Sequence, residues 1–412
     1  MAVQGREQGR RLSGRIHILG PGNVGSFIAH SMASRQSRLP ITLMLDNALV
    51  HQKWAVGRKR IAVISQGLHD IKTGFDVNVR HNDAWWSLPF DGPKGQEDDG
   101  QQVEQEKISG KLLKMAADKA LAASERDDQP IECLIVTLRA PRTVSALKTL
   151  RHRLTPDSTI LFIQSGLGVI EEVNEKVFPD PSERPHYMTG VVSHGFRSTT
   201  PFQVMHANVG TTLLSPVPSS SAGEEEEEDW APTSKYILRA LTMSPQLAAF
   251  VVPYVEVFQE QLQKLAIASA FEAPVTLLDC RNGEPLYYMQ FSRVMRLMLI
   301  EISSVISSLP ELQGVPGVEH RFSAESLRYA TVKLMNKTGN NVNHMLHDLI
   351  EQRRLHIPYL NGYIVRRGEE LGIKCILNYA IMQLVLTKRA IHQAREDDAI
   401  PAKGSNAFDG FL

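Results

Sequence analysis

Ile16-His17-Ile18-Leu19-Gly20-Pro21-Gly22-Asn23-Val24-Gly25 is the stretch on which the fold turns. Ile16 to Leu19 alternates and stops at Gly20, which reads as a strand ending in a glycine turn. Val24 to Ala33 then reads as a helix. A Gly-x-Gly-x-x-Gly between strand and helix predicts a dinucleotide-binding turn. Gly20 would permit the tight turn, Gly22 would let a pyrophosphate approach the backbone, and Gly25 would let helix pack on strand. The helix amino terminus around Asn23 and Val24 would attract the phosphates. A glycine-rich turn of an unrelated α/β fold is the competing reading.

Working outward, the next strand is 41–45, and Asp46 follows it. An acid there would accept a hydrogen bond from a ribose 2′-hydroxyl and favour NAD(H), although a turn or helix-capping aspartate fits equally. Lys53, Arg58, Lys59 and Arg60 lie close in sequence and could meet a 2′-phosphate, so the cofactor choice stays open. Further strand-like runs fall at 60–64, 75–79, 132–138, 159–163, 187–192 and 209–214, with helical patterns at 144–154 and 169–177. That alternation predicts a parallel sheet covered on both faces. Arg139 and Ser165 each follow a strand, at the edge where open α/β sheets hold ligands. Arg139 could touch cofactor phosphate or ribose, and Ser165 could lie near a nicotinamide. A surface arginine and a plain glycine-rich turn are the alternatives.

The expected organisation is a Rossmann-type domain over 15–214, with a polar insertion at 91–105, then an acidic linker and a helical domain. The linker, 215–234, contains an acid run at 224–229, whose like charges predict a disordered loop. Beyond it, over 235–395, apolar residues recur every three or four positions. Among 412 residues, 45 basic side chains balance 45 acidic ones, which argues against a nucleic-acid partner. The longest uncharged runs are broken by proline, glycine or polar residues, so no membrane span is expected. Cys133, Cys280 and Cys375 are too far apart for a zinc spacing and odd in number, which predicts a reducing compartment. Arg6, Arg10, Arg11 and Arg15 lean towards a mitochondrial presequence; the cytoplasm is the other expectation.

The glycine fingerprint is joined by Gln164-Ser165-Gly166-Leu167-Gly168, His194-Gly195, His206, Lys264, Asn282-Gly283, Asn343 to Asp348, and Tyr359-Leu360-Asn361-Gly362. In that order they resemble the ketopantoate reductase (2-dehydropantoate 2-reductase) family, over roughly 15–215 and 245–390. The resemblance implies a Rossmann domain with a helical carboxyl-terminal domain. It also implies NADP(H)-dependent reduction of ketopantoate, a step of pantothenate biosynthesis. A cleft lysine, here Lys264, serves catalysis; an ammonium there would stabilise charge on the carbonyl oxygen and donate the proton. Gly20, Gly22, Asn23, Val24, Gly25, Arg139, Ser165 and Gly195 would bind cofactor. Asn282, His344 and Asn361 would bind a small 2-oxo acid, and a homodimer is compatible with the resemblance.

The departures from the family are concentrated in the substrate pocket. Ser165 stands where the family has asparagine, Ala268 and Glu272 replace two asparagines, His344 replaces serine and His356 replaces glutamate. Asp46 replaces a basic residue. Either another 2-oxo acid is the substrate, or the chain has become a binding or scaffold protein without turnover. His344 and His347 share a helical face, yet no further ligand follows at suitable spacing, so no metal site is expected.

Overall fold

The computed structural model describes residues 12–46, 48–88, 125–218 and 230–399. The insertion at 91–105, the acid run at 224–229 and Arg6, Arg10 and Arg11 lie outside the described residues. Two compact units divide the chain, the first reaching Val257.

Ile16, Ile18 and Leu19 are completely buried because their strand is flanked and covered on every side. The first unit opens with β1 (Ile16–Leu19), α1 (Asn23–Ala33), β2 (Ile41–Leu45) and α2 (Ala48–Val56). Two hairpins follow: β3 (Ile61–Ser65) with β4 (Leu68–Lys72), then β5 (Asp76–His81) with β6 (Ala84–Leu88). Next come β7 (Glu125–Arg126), β8 (Cys133–Val136), α3 (Ala140–Leu150), β9 (Thr159–Phe162), α4 (Val169–Lys176) and β10 (His186–Val192). The unit closes with β11 (Gly195–Thr200), β12 (Gln203–Asn208), β13 (Thr212–Pro216), α5 (Pro232–Thr242) and β14 (Ala249–Val251).

The main sheet runs β14-β13-β10-β9-β8-β1-β2-β5-β6-β7. From β10 to β5 every pairing is parallel. β1 lies between β2 and β8, so the chain reverses direction across the sheet at β1, which is where such sheets open a ligand crevice. A second sheet, β11-β12-β3-β4, was not expected. Its strand β3 is fully buried on one side only, as Ile61 and Val63 buried beside half-buried Ala62 and Ile64 show. That alternation belongs to a two-layer arrangement rather than to strands covered on both faces. α1 contacts strands of both sheets. Gly25 to Ala33 are therefore all buried, and the helix has small or apolar residues all round.

The structure moves the start of the helical body from 235 to 258. α5 buries Ile237, Leu238 and Leu241 in the first unit's core, and β14 pairs with β13. Helical spacing in α5 and prolines around a three-residue strand disguised this membership.

The second unit contains 258–399 together with 140–142 and 165–170 among the described residues. Its helices are α6 (Tyr254–Leu278), α7 (Met289–Ser307), α8 (Val318–Arg321), α9 (Ala324–Lys337), α10 (His344–Ile350), α11 (Asn361–Glu370) and α12 (Ile376–Ala399). Glu301 on α7 accepts from the backbone N–H groups of Leu377 and Asn378, capping α12 at 2.9 and 3.0 Å. Lys388 donates to the carbonyls of Thr276 and Leu277, closing the end of α6. None of the described helices is long and apolar enough to cross a membrane.

One buried group ties the fold to pH. His17 on β1 is 5% exposed, and burial, then the charges of Arg153 and Arg15, push its pKa down to about 3. The folded value lies below that of an unfolded histidine, near 6.5. Its contribution is therefore fully present above about pH 6.5 and is lost as pH falls towards 3, at up to about 1.4 kcal/mol per pH unit. His17→Gln is expected to flatten the fall in stability over that window in denaturant titrations; an unchanged pH slope would refute this.

Candidate active site

The glycine turn is shaped by what has no room in it. Gly20 has a φ of +91°, and a Cβ there would stand 2.6 Å from Leu138 Cδ2. A Cβ on Gly25 would stand 2.5 Å from Thr137 Oγ1 and 2.8 Å from the Gly20 carbonyl oxygen. Thr137 in turn donates to that carbonyl at 2.6 Å. Thr137 and Leu138, just past β8, therefore hold the turn in shape. Neither is legible as a site residue in the sequence, because a threonine and a leucine at a strand end carry no motif. Gly22 is different: a Cβ there meets nothing within 4 Å. Its φ of −73° is open to any residue. Gly22 also starts α1 with no side-chain cap, and no acid occupies the first turn. The helix therefore offers its positive end at an exposed glycine, with Asn23 and Val24 half-buried beside it.

Arg139 is exposed at the start of α3, two residues beyond Thr137. Ser165 is exposed in the turn after β9. The glycines after it are structural: Gly166 has φ +93°, and its Cβ would lie 2.8 Å from Tyr359 Cβ. Leu167 N–H donates to the Tyr359 carbonyl at 3.0 Å. A Cβ on Gly168, at φ +90°, would lie 2.8 Å from Arg366 Nη2. Two motifs far apart in sequence, Gln164 to Gly168 and Tyr359 to Gly362, thus meet backbone to backbone. Gly195 opens β11 in the second sheet, where a Cβ would press to 2.8 Å on Asn208 Nδ2. His194 and His206 lie 3.0 Å apart between ring nitrogens, grouped with Phe27 and Phe196.

The cations expected near a 2′-phosphate lie elsewhere. Trp54, late in α2, packs its ring against Phe75, the residue before β5, so α2 runs back to the amino edge of the sheet. Lys53, Arg58, Lys59 and Arg60 go with it. At the carboxyl edge Asp46 is paired instead with Arg80, 3.2 Å away.

In the second unit, Lys264 on α6 is reached by solvent, yet the protein packed around it holds its ammonium below the usual lysine range. Glu260, one turn earlier, acts in the opposite sense and is itself paired with Arg321 at 2.6 Å. Ala268 and Glu272 follow Lys264 at four-residue steps on one helical face. Glu272 Oε2 lies 3.2 Å from His356 Nε2, whose Nδ1 lies 3.9 Å from the buried Asp348.

The three expected substrate contacts fare differently. Asn361 is fully buried, and its amide donates to the Ser269 carbonyl and to Asn378 Oδ1, at 3.1 and 3.0 Å. It ties helices together through its amide nitrogen, with its own carbonyl oxygen left over. Asn282 is 4% exposed and donates to Thr338 Oγ1 at 3.0 Å, with its own carbonyl oxygen left over. His344 is exposed at the first position of α10. Its neighbour Asn343 is the buried cap, accepting from Leu346 N–H at 2.8 Å. His347 turns to Glu351, away from His356. Among the described residues no group of three metal-ligating side chains comes together.

The ketopantoate reductase PanE/ApbA family model matches residues 95–219, and the model of its carboxyl-terminal domain matches 256–389. The chain belongs to the ketopantoate reductase family. A Schizosaccharomyces pombe relative named "Probable 2-dehydropantoate 2-reductase" is 25% identical over 93% of this chain and 99% of its own length. "Ketoisovalerate reductase BEA2" of Gibberella fujikuroi is 26% identical over 87% of this chain and 79% of its own. Among solved structures, a D-mandelate dehydrogenase with NADH and anilino(oxo)acetate superposes with a TM-score of 0.62 at 16% identity. The superposition covers 92% of this chain and 99% of that one, and it shows a shared fold. The glycine turn lies before the matched segment, so its assignment rests on the geometry above.

Gly166→Ala is expected to lower stability by roughly 2 kcal/mol, since a side chain at that φ is strained and the Tyr359 backbone cannot yield. Denaturant unfolding of the full chain measures it; an unshifted midpoint would show the contact to be loose.

Proposed function

We propose that this chain reduces the carbonyl of a 2-oxo acid, with a nicotinamide dinucleotide on the glycine turn and Lys264 at the reacting oxygen. The observation that carries the reading is Gly22. Strain and packing account for Gly20 and Gly25, but neither demands glycine at Gly22, where a Cβ would meet open space. A turn approached closely by a pyrophosphate does demand it.

The bound dinucleotide supplies the hydride that reaches the carbonyl carbon. The first turn of α1 offers backbone N–H groups and a positive helix end to the phosphates. Negative charge then grows on the substrate's carbonyl oxygen, and the Lys264 ammonium stabilises it and gives up a proton to form the alcohol. Desolvation holds Lys264 below its ordinary pKa, which eases that release. The names of the S. pombe and Gibberella relatives, both 2-oxo acid reductases, support the substrate class. Ala268 and Glu272 in place of two asparagines, with His356 in place of a glutamate, separate this chain's pocket from the family's, and ketopantoate itself is expected to be a weak substrate.

Two variants test the reading. Gly22→Asp, which sets bulk and charge against the pyrophosphate, should weaken dinucleotide binding at least about tenfold in a fluorescence titration of the folded protein. Equal affinity in both forms would count against the turn. Lys264→Ala should lower the rate of dinucleotide oxidation, over a panel of 2-oxo acids, by about 100-fold or more. It should leave dinucleotide affinity unchanged. Undiminished turnover would remove the lysine from its role.

A further inference from the structure

The geometry points to NAD(H), rather than the NADP(H) implied by family resemblance, as the dinucleotide this chain selects, with Asp46 clamped by Arg80 as the selecting group. The inference rests on the dinucleotide reading above and makes it more specific.

Leu45 pairs with Val79 in the β2–β5 register, so the residues that follow, Asp46 and Arg80, stand side by side at the carboxyl edge. β2 is also the neighbour of β1, whose carboxyl end carries the glycine turn. In such sheets the residue closing the second strand meets the adenosine ribose. Arg80 Nη1 lies 3.2 Å from Asp46 Oδ1, and Arg80 Nη2 lies 2.7 Å from Asp83 Oδ1. Asp83 belongs to a two-residue hairpin turn in which Asn82 and Asp83 both have positive φ, 49° and 57°. That turn type is tight and matched to strand twist, so it fixes Asp83 beside the guanidinium.

The guanidinium is thus engaged by two carboxylates, and the trio carries one net negative charge. A ribose 2′-hydroxyl can donate to the Asp46 carboxylate, a group that offers about four acceptor sites. A 2′-phosphate brings further negative charge and no donor at neutral pH. It would meet repulsion from Asp46 and would have to compete with both carboxylates for Arg80. Trp54, late in α2, lies against Phe75 at the amino edge, so the helix that carries Lys53 and leads to Arg58, Lys59 and Arg60 runs away from Asp46.

The test is calorimetric titration of the full-length chain with NADH and with NADPH, in the absence of substrate. Wild type is expected to bind NADH at least tenfold more tightly. Asp46→Ser releases Arg80 towards a phosphate and should reverse the preference, tightening NADPH and weakening NADH. Asp46→Asn, which keeps the shape, should narrow the preference even if the serine variant folds poorly. Arg80→Ala should leave NADPH weak. Wild type binding NADPH as tightly as NADH would overturn the inference and leave the dinucleotide site standing. A tenfold loss of NADPH affinity alone in Arg80→Ala would overturn it as well, by making Arg80 a phosphate reader. Folded wild type that binds neither nucleotide would remove the dinucleotide reading and this inference together.

Discussion

The absence of a side chain at Gly25 is the constraint on which the first unit depends. With a Cβ that would stand 2.5 Å from Thr137 Oγ1, α1 could not approach the ends of β1 and β8 as it does. That approach sets the helix between the two sheets, with Phe27, His30 and Met32 fully enclosed. It also brings the Gly20 carbonyl within reach of Thr137, so the turn is hydrogen-bonded as well as packed. A larger residue would push the helix outward and disturb the turn and the contacts with both sheets at once, since close-packed interiors do not absorb a displaced helix locally.

How much of this was legible depended on whether a residue's role lies in its own type or in its neighbours'. The glycine spacing was legible because three distinct backbone demands leave three glycines at fixed intervals. Thr137 and Leu138 were not, since their part is to fill the space that the glycines leave. The alternation of strand and helix gave the parallel core from β10 to β5. It could not give the second sheet, because β3, β4, β11 and β12 join across more than a hundred residues of chain. Strand β14 was hidden for a third reason. It has three residues, and its place at the sheet edge comes from pairing with β13, a long-range contact that local periodicity does not encode.

In the second unit the polar residues were legible as a set but not by role. Asn361 and Asn343 both look like ligand contacts in a list of amides. The structure puts Asn361 at the junction of α6, α11 and α12, where its donors meet a carbonyl and another amide. Asn343 caps α10, and Thr276 donates to its side-chain oxygen at 3.3 Å. Amide side chains suit both tasks, because they carry donors and acceptors without a charge to desolvate. Only burial separates the uses.

The charged residues on the same face as Lys264 follow a different logic. Glu272 and His356 are largely enclosed, with side chains 13% and 10% exposed. A carboxylate removed from water loses hydration that a single neutral partner would not restore. His356 is close enough to Glu272 to share a proton or a charge with it, and Asp348 stands behind the imidazole. Glu272 and Asp348 thus approach the two different nitrogens of one imidazole. The contact joins two residues 84 positions apart that both depart from the family pattern. It also locates the chemical novelty of the pocket in the helical unit. The nucleotide turn, by contrast, keeps its three glycines, because there the demand is steric and admits no exchange.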